Sequence, residues 1–339
     1  MDAINRRAVR TTARDTLAAN PGNPRLVVLI YIVITSVCTL AVSAALLALD
    51  NRIAQTGGLG AMHLRSILST IRTVLPLVQT IALWCLQLGY QNASLRMARC
   101  QAAAPRDLLK GFSCFGPLIR SILLQNILYT LVYIGCVYAA ALILLPTPLL
   151  ADFYELVTPL LADPEAFSNA LYTDMALMEQ VVLSLAPVLL LSMVIFLFMA
   201  APIFYRYRMA NYCLLENPWK GAMAALAESI RMMKGRRVSL LKLDLSFWWF
   251  YLGQGLAGAV FCFDILLALL GVNLPLSPVA VHYVFYALSL FLNGLLCCFF
   301  MNRVETTYAT VYETLRPKPQ PSQGAVLGNI FDLAKDYKE

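Results

Sequence analysis

Between Arg25 and Asp50 the chain runs for 24 residues, Leu26 to Leu49, without a charge. A helix of about 20 apolar residues spans the roughly 30 Å hydrocarbon core of a bilayer. Every backbone polar group in that core must be bonded internally, so the run is predicted to be a transmembrane helix. Five further runs follow, at about Thr73–Tyr90, Ser121–Leu145, Val181–Tyr205, Leu243–Leu270 and Val279–Met301. The sequence lacks the alternating strands of about 10 residues that mark a membrane barrel. Composition agrees, with 60% hydrophobic and 13% charged residues, where soluble domains have about 45–50% and 25%. The expected fold is an all-α membrane protein with six transmembrane helices. Its domain covers 26–301, between a basic lead-in helix at 1–25 and a partly disordered tail at 302–339.

Lys and Arg near the span ends set orientation. Arg6, Arg7, Arg10, Arg14 and Arg25 precede the first span, and Arg52 and Arg65 follow it, with Arg72 at the next edge. Arg96, Arg99, Arg106 and Lys110, then Arg120, lie between the second and third spans. The loop from Pro146 to Gln180 has no base and six acids, whereas that from Arg206 to Val238 has seven bases. Gly271 to Pro278 has none, and five follow Met301. This alternation places both termini in the cytoplasm. Val42-Ser43-Ala44 fits a signal-peptidase site, but the apolar run continues past it, so the segment reads as an anchor.

The inner loops account for the net charge of +7, so nucleic acid is not implied. None of the nine cysteines falls in a predicted outer loop, a pattern that suits reduced thiols. With only His63 and His282 in the chain, no metal site is expected, and no cofactor.

Amphipathic helices are predicted at the inner surface. Asn217 and Pro218 suit a helix start. Trp219, Met223, Leu226, Ile230 and Met233 then form an apolar stripe, and Gly235 suits its end. The adjoining Arg231, Lys234, Arg236 and Arg237 face the membrane surface, where they serve as a topology anchor or as contacts to anionic lipid headgroups. Residues 2–19 and Pro105–Phe112 form similar lead-ins to the first and third spans. The order of helix, span and span suggests a threefold helix-plus-hairpin repeat.

Ionisable groups within a bilayer are candidates for function. Asp264 lies in the fifth run, and His282 and Tyr286 reach a similar depth on the sixth. These three form either a proton or cation site or a satisfied interhelical bond. Asp244, beside Lys242, Trp248 and Trp249, reads as an interfacial ion pair. Gln79, Gln87, Gln125, Asn126, Gln254 and Asn293 fall within spans, where amides bond across helices or line a polar path. Gly253 to Gly258 matches the dinucleotide expression GxGxxG, but inside an apolar span helix packing through Gly255 and Ala259 explains it better.

Asn217-Pro218, Ala225-Leu226-Ala227-Glu228-Ser229, Met232-Met233-Lys234-Gly235, Leu245-Ser246-Phe247 and Trp249 together resemble a bacterial membrane family. It is catalogued as domain of unknown function 975. The Arg7 to Asn20 lead-in is similar to the family's opening. Leu88-Gly89-Tyr90, Asp107-Leu108-Leu109 and Gly111-Phe112 are similar to its central motif. Leu274-Pro275-Leu276 departs from the family's tyrosine-bearing turn, and the acidic 146–180 loop resembles an insertion. The resemblance implies a bacterial inner membrane and six spans, and assigns no catalytic residue. The first functional expectation is a non-enzymatic membrane scaffold or regulator. The alternative is a small-solute or ion permease using the mid-span polar residues and Asp264. A membrane enzyme ranks last.

Overall fold

The computed structural model describes residues 5–55, 62–147, 175–263, 267 and 278–316, and every element among them is helical. Helix α1 (Arg6–Ala18) starts where the Asn5 side chain accepts from the Ala8 N–H at 3.3 Å. Helix α2 (Pro24–Gln55) opens on proline, and Asn23 accepts from the Leu26 N–H at 3.2 Å. Proline suits this position because its missing N–H has no helical partner to lose. Helix α3 (Met62–Ala98) contains Pro76, and a 3-10 turn (Pro105–Leu109) leads into α4 (Lys110–Ser113). Helices α5 (Phe115–Leu144) and α6 (Met175–Tyr207) follow, the latter carrying Pro187 and Pro202. Then come α7 (Ala210–Glu216), α8 (Gly221–Met233) and α9 (Arg237–Asp244). Helix α10 (Trp248–Ala259) precedes the long α11 (Pro278–Leu315).

Five segments are long and apolar enough to cross a membrane: Pro24–Ile53, His63–Ala98, Phe115–Leu144, Leu183–Glu216 and Ala280–Leu315. They coincide with the first four predicted runs and the sixth, and the chain reads as a multi-pass membrane protein. The fifth run is interrupted. Helix α10 has 12 residues and lies between the 3-10 turns Leu245–Phe247 and Val260–Cys262. Glycines 253, 255 and 258 each lower helix propensity by about 1 kcal/mol. Asp264 and residues 268–277 lie outside the described residues.

The main core gathers at one end of the spans. It joins Val9 of α1, Leu88 and Leu95 of α3, Met209 and Leu214 around α7, Met233 of α8, Leu240 of α9 and Tyr308 of α11. We call this region the base. Helix α11, at 38 residues, is about 57 Å long and outruns the hydrocarbon core. The predicted span limit at Met301 thus falls inside a helix. Beyond it, Thr306, Tyr308, Ala309, Val311 and Tyr312 are among the most deeply buried side chains.

Two glycines set how closely the base can pack. A Cβ on Gly89 of α3 would overlap the carbonyl of Leu108, and one on Gly111 of α4 would overlap the carbonyl of Cys85. The turn is held there by Asp107, which accepts from the Ala104 N–H at 2.8 Å and pairs with Arg96 at 2.5 Å.

Helix α8 differs in face from the prediction. Asn217 makes no side-chain cap, Pro218–Lys220 is a 3-10 turn, and Gly221 takes φ +78°. This turn rotates the buried face to Ala222, Ala225, Leu226, Ser229, Met232 and Met233, leaving Trp219 and Met223 exposed. Gly235, at φ +77°, ends the segment as expected. Ser229 accepts from the Met209 N–H at 3.2 Å and donates to the Arg206 carbonyl at 2.9 Å, tying α8 to the end of α6.

Sequential spans pair: α2 with α3, α5 with α6, and α10 with α11. Helix α11 also packs along α2 and α3. The α5–α6 hairpin closes on itself through Ala140 and Val188 and meets the other elements mainly at α8 and α9. Its outer faces, including Leu131, Leu142, Leu190 and Phe198, are exposed and apolar. In lipid such faces carry no penalty, because acyl chains are as apolar as leucine.

Candidate functional site

A cavity of about 440 Å³ lies among α2, α3, α10 and α11, with its lower wall completed by Arg208 from the α6–α7 turn. On α11 its lining runs from Leu290 to Glu305, about 22 Å along the helix axis. Thr35, Ser36 and Thr39 face it from α2, Gln87 from α3, Gln254 from α10 and Asn293 from α11. A polar cleft thus extends from the apolar span region to the base.

Its walls are cross-linked. Tyr31 of α2 donates to the Gln87 side chain at 2.5 Å and stacks on Tyr90, with ring centroids 4.9 Å apart. Tyr90 donates to Asn302 at 2.6 Å, and Asn302 donates to the Pro24 carbonyl at 2.9 Å. Gln79 donates to Thr39 at 3.3 Å. Gln254 donates to Cys297 at 3.6 Å, and Cys297 to Asn293 at 3.6 Å. These contacts join α2, α3, α10 and α11 by side chains that would be costly to leave unpaired in lipid.

Charge collects at the lower end. Arg208 and Glu305 both face the cleft. The Arg208 guanidinium lies over the Tyr308 ring, 4.2 Å from its centroid, and over Phe204 at 5.2 Å. Beneath it, Asp244 accepts from Tyr205 at 2.6 Å and also from Tyr308. Tyr308 has one hydroxyl proton and gives it to the carboxylate, so Tyr251, 3.0 Å away, donates to Tyr308. Tyr212 donates to Glu305 at 3.3 Å and stacks on Tyr312. Tyr312 donates to Glu216 at 2.9 Å, which pairs with Arg99 and with Arg316 at 2.9 Å. Glu313 also holds Arg99, at 2.5 Å.

The predicted site residues separate into two groups. Gln254 and Asn293 line the cleft. His282 and Tyr286 lie apart from it, packed edge-on against Phe261 at 5.0 and 5.7 Å. Tyr286 accepts from Ser43 at 3.1 Å, an interhelical bond between α11 and α2. Asp264, their expected partner, lies outside the described residues. Asp244 is bound by tyrosines of α6 and α11, in place of the expected interfacial ion pair. Gly253, against Leu296 at 3.2 Å from its Cβ position, faces α11, whereas Gly255 opens onto free space. Packing through Gly255 is therefore corrected to Gly253 and the buried Ala257. Gln125 bonds within its own helix, to Ser121 at 3.2 Å, and Asn126 is exposed. Arg231 and Lys234 are exposed, and Arg236 and Arg237 are half-buried.

Arg208 and Glu305 escaped the sequence reading because one sits in a basic loop and the other beyond the last apolar run. A signal for the second exists: Val304, Tyr308, Val311, Tyr312 and Leu315 keep a helical apolar period past Met301.

The chain belongs to the family described as protein of unknown function (DUF975), whose model matches residues 1–318. No curated protein and no solved structure matches the chain. The residues through which it resembles that family cluster in the base: Gly89 and Gly111 interlock, Asp107 caps the turn, Ser229 ties α8 to α6, and Phe247 is buried.

Proposed function

We propose that this protein is a non-enzymatic solute-binding membrane protein of the permease type. Its cleft holds a small polar solute bearing an anionic group, with Arg208 as the counter-charge and Glu305 available to a cationic group. The supporting observation is the cleft itself, which brings two charged groups and three amides into one cavity beside membrane-length helices. Ligand sites of this kind combine an apolar wall with a few convergent polar groups. An arginine in a membrane-protein interior faces a cavity or a partner, because its burial in lipid is costly.

The base carries the Lys- and Arg-rich segments, which supports placing it on the cytoplasmic side of a bacterial cell membrane, with both termini there. Arg231, Lys234, Arg236 and Arg237 would then meet anionic lipid headgroups. The pairing of sequential spans, each led by a short helix, supports reading the chain as six spans in a threefold repeat.

The test is uptake of labelled amino acids and mono- and dicarboxylates into proteoliposomes. At least one is expected to enter above the level of protein-free vesicles, with a loss of about tenfold or more in Arg208→Gln, since charge-assisted bonds contribute about 1.5–3 kcal/mol. Absence of uptake and of Arg208-dependent binding across the panel would refute the reading. A second reading, a membrane scaffold, is favoured by the exposed α5–α6 hairpin. It predicts a partner cross-linked through Leu131 or Phe198 positions and no solute flux.

A further inference from the structure

A second cavity, of about 510 Å³, lies between α1, the start of α10 and α11, and shares Val304 with the lining of the solute cleft. Three of its arginines, Arg7, Arg10 and Arg14, come from one face of α1, at helical steps of three and four. Facing them on α11 are Phe300, Arg303 and Thr307, spaced in the same way. The aromatic wall is built. Trp249 meets Phe300 edge-on at 4.3 Å, and the Arg10 guanidinium lies over Phe247 at 5.1 Å. A neighbouring cavity shares Arg7 and Arg10 and adds Arg6 and Ser246.

All four arginines of the main cavity are exposed, and among the described residues none makes an ion pair. This contrasts with Arg96, Arg99 and Arg316, each held by a carboxylate. Four like charges around one concavity repel one another until an anion enters. The part of the wall built from Phe247, Trp249 and Phe300 is aromatic, and the adjacent Trp248 and Phe299 are well exposed. One side of the site therefore suits a multiply hydrogen-bonded anion, and the other suits hydrocarbon. Guanidinium groups match phosphate oxygens through paired N–H donors. Trp and Phe sit at the level of headgroups.

We infer that this pocket binds the phosphate group of an anionic phospholipid, clamping α1 to α11 at the membrane surface. It is distinct from the α8–α9 basic cluster, and it rests on neither the solute reading nor the orientation of the chain.

The experiment places the full-length protein in nanodiscs of phosphatidylcholine doped with phosphatidylglycerol. Lipid retained after extraction is counted by native mass spectrometry. The unaltered protein should keep phosphatidylglycerol in preference to phosphatidylcholine. Each of Arg10→Gln, Arg14→Gln and Arg303→Gln should lower retention about fivefold, and the triple variant about a hundredfold. Neutralising Arg231, Lys234, Arg236 and Arg237 together should leave retention unchanged. These arginines are exposed, so the single variants fold and carry the test even if the triple variant does not. A second arm adds inorganic phosphate or glycerol phosphate in competition with the lipid. If either displaces phosphatidylglycerol at equal concentration, the ligand is free phosphate and the lipid assignment fails. Equal retention in the single variants and the unaltered protein, or equal loss in the α8–α9 variant, overturns the site.

Discussion

The base and the α5–α6 hairpin are built from one chain by opposite rules. The hairpin is largely apolar on its outer faces, and along its length it buries mostly small side chains such as Ser121, Cys136, Ala140 and Ser192. The base buries tyrosines, threonines and glycines, with tyrosines bonded to Asp244 and Glu216 and the 104–109 turn held by Asp107. In lipid an apolar helix gains little by touching another, so hydrogen bonds and close backbone approach decide what holds together. The close packing of this molecule therefore lies where its spans leave the apolar region. The cleft occupies the boundary, with amides in the spans and charges at the base.

Substitutions that exchange the character of the two regions test this contrast, and the glycines should show it most strongly. Gly89→Ala puts a methyl into a backbone carbonyl, which should cost more than about 3 kcal/mol. Gly135→Ala on α5, which meets nothing within 4 Å, should be neutral or stabilising by up to about 1 kcal/mol. Thermal unfolding in detergent reads both, and similar shifts would erase the contrast. Next in size, Arg99→Ala removes a link shared by Glu216 and Glu313 and should cost about 2–3 kcal/mol. The same melting assay checks it, with Arg72→Ala as comparison. Arg72 pairs with Asp50 at 2.8 Å but is largely exposed, so its loss should cost less than about 1 kcal/mol.

Tyr308→Phe comes third. It removes a donor to Asp244 and an acceptor for Tyr251, with an expected cost of about 1.5 kcal/mol. Smallest should be Leu142→Ala on the hairpin, 70% exposed, at less than about 0.5 kcal/mol. A large effect there would mean that the hairpin's outer face is covered by protein and would favour the scaffold reading.

The spans were legible because uninterrupted apolar runs such as Leu26–Leu49 admit one solution in a bilayer. The break around α10 was not, since Gly253, Gly255 and Gly258 keep the run apolar while weakening the helix. The continuation of α11 was hidden by Asn302, Arg303, Glu305 and Thr306, which read as solvated although three of them are buried or face the cleft. Gln254 and Asn293 were legible as amides in apolar surroundings. Their neighbours Tyr31, Arg208 and Glu305 come from segments distant in sequence, and only the packing of α2, α3, α10 and α11 with the α6–α7 turn around one cavity brings them together. Asp244 was visible as an acid near a membrane surface. Its tyrosine partners lie 39 and 64 positions away, beyond the reach of any local pattern.

A hydrated polar cleft is expected to enter the span region beside α11. Cys297 lines it, whereas Cys136 is sealed within the α5–α6 hairpin. Two variants, each retaining only one of these cysteines, can be reconstituted in vesicles and treated with a membrane-impermeant anionic methanethiosulfonate reagent. We expect Cys297 to be modified many times faster than Cys136, and Arg208→Gln to slow it by removing the cation that draws the anionic reagent inward. Equal, slow modification of both thiols would contradict a hydrated cleft.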